Sequence, residues 1–114
     1  MKLSDAILEG CKIRPYKARS VYFDGNYYAC TLGAAMIGIN PENERLVEQG
    51  YTGAYILFPE LHQVPGRSNP YDRTWEIDTK PPKFKSLHGL IAYLNDKTDM
   101  TREQIAAWLK RCGK

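Results

Sequence analysis

The sequence predicts an α+β fold: a small, mainly helical domain with a β-hairpin near the N-terminus and a C-terminal antiparallel helical pair. Three observations predict it. Two capped amphipathic segments occupy residues 86–95 and 101–112, Asp24-Gly25 separates two aromatic stretches, and residues 30–38 are apolar on every side. At 114 residues, 43% hydrophobic and 25% charged, the chain suits one globular domain over 1–114 and is too short for two independent cores.

The first element reads as a short helix. Ser4 is placed to cap it, Asp5 suits its positive end, and Leu3 with Leu8 has the spacing of a hydrophobic staple. Leu3, Ile7, Leu8 and Cys11 form the expected buried stripe, and Gly10 and Pro15 bracket the exit. Residues 20–29 follow as a hairpin, because Asp-Gly accepts the positive φ angles of a tight turn. A lone hairpin is marginal in water, so it must lie on the helices or gain a third strand.

Cys30–Gly38 has no polar face, the mark of a helix in the middle of a core, and Gly33, Ala34 and Ala35 allow close backbone approach. Asn40-Pro41-Glu42-Asn43-Glu44 is a helix start with Gly50 as its stop. Tyr51–Leu61 carries a short apolar run, either a third strand or a buried helical turn. From about 62 to 85 the chain is rich in proline, glycine and charge, and reads as a long loop anchored by Trp75 and Ile77.

The closing pair is the clearest. Ser86 caps a helix with Leu87, Leu90, Ile91 and Leu94 at i, i+3, i+4 and i+7, and Asn95–Asp99 breaks it. Thr101 with Gln104 forms a capping box, Met100 with Ile105 a staple, and Gly113 ends the helix.

Function is less legible. The net charge of +3 falls short of a phosphate-tracking surface, although Lys12, Arg14, Lys17 and Arg19 cluster and lysines recur at 80, 83 and 85. Three cysteines with no Cys-x-x-Cys spacing, no leader-like opening and no apolar run of ~20 residues lead to the expectation of reduced thiols, no membrane partner and a cytoplasmic location. Cys30 at a helix entrance, with His62 or His88 as base, is the one arrangement for thiol catalysis. Its apolar surroundings favour a small hydrophobe instead. Two histidines remote from the cysteines make no zinc set, Asn95–Glu103 lacks the spacing and glycine of a calcium loop, and no cofactor motif is present. Residues 100–109 look like the first helix of a helix-turn-helix, but no recognition helix follows within the 114 residues.

Lys2-Leu-Ser-Asp-Ala-Ile, Ala29-Cys-Thr-Leu-Gly-Ala-Ala35, Leu94-Asn-Asp96 and Thr101-Arg-Glu-Gln-Ile-Ala-Ala-Trp-Leu109 together resemble a family of small proteins from bacteria and their phages. Tyr93 and Met100 depart from its pattern, and the paired cysteines that some relatives carry in the middle segment are missing. The resemblance implies an origin and a fold and carries no activity with it.

The expectation that follows is a non-enzymatic binding protein that acts on a host protein or sequesters a small ligand. Its contact residues would be Tyr51, Tyr55, Phe58, Arg67, Tyr71, Arg73 and Trp75, since aromatic and arginine side chains dominate interface energetics. The alternatives are a nucleic-acid accessory protein and a small thiol-dependent hydrolase or transferase. A homo-oligomer is compatible with all three.

Overall fold

A computed structural model describes residues 1–48, 53–63, 84 and 86–114. The order is α1 (Leu3–Ile13), β1 (Tyr16–Lys17), β2 (Phe23–Asp24), β3 (Tyr28–Ala29), α2 (Thr31–Ile39), a 3-10 turn (Pro41–Asn43), α3 (Glu44–Glu48), α4 (Gly53–Leu57), a second 3-10 turn (Pro59–His62), α5 (Leu87–Lys97) and α6 (Arg102–Arg111). The fold is the α+β arrangement that the sequence predicts.

The core forms around α2, whose residues 31–37 are all buried, as an all-round apolar helix requires. It packs chiefly on α1, and the contact is nearly backbone to backbone. A Cβ on Gly10 would stand 1.8 Å from the Ala34 carbonyl oxygen, and one on Gly38 would stand 1.9 Å from that of Ala6. Gly10 is therefore a crossing point inside α1, not the helix exit that its position suggests. Two other expectations for α1 also change. Ser4 lies inside the helix, buried and with its hydroxyl unpaired among the described residues, while its amide donates to the Lys114 carbonyl. Leu8 faces solvent, and the buried stripe is Leu3, Ala6, Ile7 and Gly10.

Phe23↔Ala29 and Asp24↔Tyr28 pair antiparallel around a turn in which Gly25 takes φ +62°. The third strand comes from β1, parallel to β3 with Tyr16↔Tyr28 and Lys17↔Ala29, giving the order β1-β3-β2. Residues 53–57, where strand and helix were both open, are helical. Asn40 caps the 3-10 turn through its Oδ1, whereas Gly50 lies outside the described residues, as does most of the 62–85 loop.

The closing helices keep their caps. The Ser86 hydroxyl accepts from the Gly89 amide at 3.1 Å, and both bonds of the Thr101–Gln104 box form, at 2.9 and 3.1 Å. α5 runs through Lys97, so residues 95–97 extend the helix rather than break it. α6 lies mainly against α1, with Ile105, Trp108 and Leu109 buried.

Gly10→Ala and Gly38→Ala are each expected to force α1 and α2 apart. Each should lower stability by about 3 kcal/mol, seen as a reduced urea midpoint. A midpoint equal to that of the parent would show that the crossing tolerates a methyl group.

Candidate functional site

A pocket of about 170 Å³ opens between the segment that enters the hairpin, the start of α2 and one face of α5. Val21, Leu32, Ile91 and Ala92 give it an apolar body, while Tyr22, Cys30 and His88 supply polar groups. On α5 these residues recur with helical spacing: His88, then Ile91 and Ala92, then Asn95 and Asp96.

Asn95 holds the walls together. It is 1% exposed, and its Oδ1 accepts from the Thr31 amide at 3.0 Å and the Thr31 hydroxyl at 2.8 Å. Its Nδ2 donates to the Ala18 carbonyl and to Asp96 Oδ1, both at 2.8 Å. The same Asp96 oxygen accepts from the Ser20 amide at 2.9 Å, and Arg19 Nη1 donates to the Asp96 carbonyl at 2.7 Å. Ser20 has φ 66°, a left-handed conformation that costs a non-glycine residue of order 1–3 kcal/mol, and Asp96 grips it there.

At the other end Tyr22 Oη and His88 Nε2 are 3.2 Å apart, which links the hairpin segment to α5. Behind His88 stands Tyr55, half-buried, with the His88 ring stacked at 4.5 Å and the His62 ring at 4.1 Å. Burial, and secondarily His62, hold the His88 imidazole below its ordinary 6.5.

Cys30 is the N-cap of α2, and its Sγ accepts from the Gly33 amide at 3.3 Å. The helix-entrance amides lower its pKa, but burial dominates and pushes the thiol up to about 11. A helix entrance alone therefore does not make this cysteine a nucleophile at neutral pH.

The residues expected to form the contact surface divide. Tyr55 is in the histidine stack beside the pocket. Phe58 is a core residue, 2% exposed, so its ring is withdrawn from any contact surface. Tyr51, Arg67, Tyr71, Arg73 and Trp75 lie outside the described residues. The pocket residues themselves were not singled out as a binding surface by their sequence, although the second face of α5, His88–Ala92–Asp96, was a readable signal.

Three of the four clustered basic side chains are engaged within the fold. Arg14 pairs with Glu44 at 2.8 Å, donates to the Gly25 carbonyl at 2.7 Å and lies 4.7 Å from the Phe23 ring centroid. Lys17 donates to the Met100 carbonyl at 3.0 Å, and Arg19 to that of Asp96. Among the described residues, no three His, Cys, Asp or Glu side chains gather as a metal site, and no helix is long and apolar enough to cross a membrane.

No family model matches the chain, and no solved structure does. The chain is 28% identical over 109 residues to light-independent protochlorophyllide reductase subunit N of Chlamydomonas reinhardtii. That similarity covers 90% of this chain, which spans 19% of the subunit's length.

Two predictions follow from the site's protonation states. Because the folded His88 pKa lies below 6.5, the unfolded chain binds the proton more readily. Stability is fully present above pH 6.5 and declines as pH falls below it toward the folded value. In His88→Gln, urea midpoints should fall less over that interval, and an equal slope in parent and variant would remove the assignment to His88. In the folded protein at pH 7, Cys30 should resist iodoacetamide and react on unfolding, checked by peptide mass mapping.

Proposed function

We propose that this chain is a non-enzymatic binding protein that holds a small, largely apolar molecule in the pocket between the hairpin segment and α5. The observation that carries this reading is the pocket itself: about 170 Å³, apolar in its body, with the Tyr22–His88 pair and the Cys30 thiol as its polar features. Apolar cavities of about 150 Å³ accept a benzene-sized molecule. A monocyclic aromatic or short aliphatic group bearing one hydroxyl matches both the volume and the polar end.

Two features weigh against the alternatives. A thiol held at about 11 is protonated at neutral pH, which disfavours thiol-dependent hydrolysis or transfer. Arg14 is buried and paired with Glu44, and Lys17 is half-buried, so the N-terminal basic cluster does not present the continuous exposed stripe that tracks a nucleic-acid backbone.

The test uses benzyl alcohol and phenol as probes, followed by amide chemical shifts of the full chain. Saturable shifts at residues 20–22, 30–32 and 88–96 are expected. Ala92→Leu places extra carbons in the pocket from a half-exposed position on α5, where leucine is a good helix former. It should weaken binding at least tenfold, about 1.4 kcal/mol, with the fold checked by circular dichroism. Shifts that do not saturate, or equal affinity in folded Ala92→Leu, would overturn the reading.

A further inference from the structure

A second cleft, of about 320 Å³, lies between the α1–β1 link, β1 and the first turn of α6. One of its lining residues is Arg102, 2% exposed. Its Nη1 donates to the Ala29 carbonyl at 3.1 Å, and among the described residues no carboxylate oxygen lies within 4 Å of the guanidinium. A guanidinium has five N–H donors and stays charged, so a single neutral acceptor offsets little of the cost of burying it.

Lys17, half-buried in the same cleft, repeats the pattern. Its ammonium donates to the Met100 and Thr98 carbonyls at 3.0 and 3.4 Å, again neutral acceptors. Burial first, then the neighbouring Arg19, push its pKa down. Arg19 also lines the cleft and donates to the Asp96 carbonyl at 2.7 Å.

The acidic groups nearby do not neutralise these cations by contact. Asp96 is occupied by Ser20 and Asn95. Glu103 also lines the cleft, exposed, and it acts on the Cys11 thiol, which burial and this carboxylate raise to about 12 against the opposing pull of Arg102. Asp99 stands exposed at the cleft, where it would oppose an incoming anion and moderate its affinity.

We propose that this cleft binds a small oxyanion, the carboxylate or phosphate group of a ligand, against Arg102, Lys17 and Arg19. The anion would supply the charged acceptors that the three cations lack, and charge-assisted bonds of this kind are about twice as strong as neutral ones. The site is separate from the apolar pocket and stands or falls without it.

The full chain, labelled at its amides and at arginine Nε, is titrated with sodium phosphate, sodium acetate and sodium chloride at constant ionic strength. Saturable shifts of the Arg102 Nε–H signal and of amides 17–19 and 99–103 are expected with phosphate or acetate and not with chloride. The tighter of the two identifies the oxyanion. Asp99→Asn, an exposed change that removes the opposing charge, should tighten binding several-fold, and Arg19→Gln should weaken it several-fold. No saturation with either oxyanion, the same response to chloride, or affinities unmoved by both substitutions would overturn the proposal.

Discussion

Asn95 is almost fully withdrawn from water, and each buried amide group left without a partner costs about 1–3 kcal/mol. Its four hydrogen bonds reach the strand exit at Ala18, the first residue of α2 and its own neighbour Asp96. One side chain thus fixes three stretches of chain far apart in sequence. The apolar pocket exists because these stretches are held at that separation. The strained turn at Ser20 persists because Asp96, itself bonded by Asn95, grips its amide.

The crossing of α1 and α2 makes the second constraint. Carbonyl oxygens of Ala34 and Ala6 occupy the space that side chains at Gly10 and Gly38 would need. Close approach of the two backbones lets a nine-residue helix with no polar face be covered from several sides by short elements. Gly33 serves the same purpose toward the hairpin, where a Cβ would meet the Tyr22 carbonyl oxygen at 2.5 Å. That contact, with the Cys30 amide donating to the same carbonyl, seats the hairpin segment on the start of α2 and sets the pocket's wall.

Charge follows from this packing. The small sheet and the junction of α5 with α6 are tied together by cations that donate to carbonyls: Lys17 to Thr98 and Met100, Arg19 to Asp96, Arg102 to Ala29. In sequence Lys12–Arg19 looks like a solvated patch or a nucleic-acid footprint. In the fold, Lys12 alone of these four is bonded only to an exposed neighbour, Glu9. Cations used this way leave positive charge facing a cleft, which is the basis of the oxyanion site.

The sequence by itself determined the features that depend on neighbours along the chain. The Ser86 cap and the Thr101–Gln104 capping box of the closing helices, the Asp24-Gly25 turn and the burial of α2 are local, since periodicity and side-chain-to-backbone bonds act over three or four residues. It misplaced Ser4, Leu8 and Gly10, because which side of a helix is covered depends on the partner helix and not on its own stripe alone. It could not supply the third strand either, since pairing of β1 with β3 is a contact between segments with their own weak preferences. Above all, tertiary structure decided the sites. The Asn95 hub, the Tyr22–His88 pair and the Arg102 cleft join residues 64 to 83 positions apart where their individual chemistry is ordinary, and only folding brings them together.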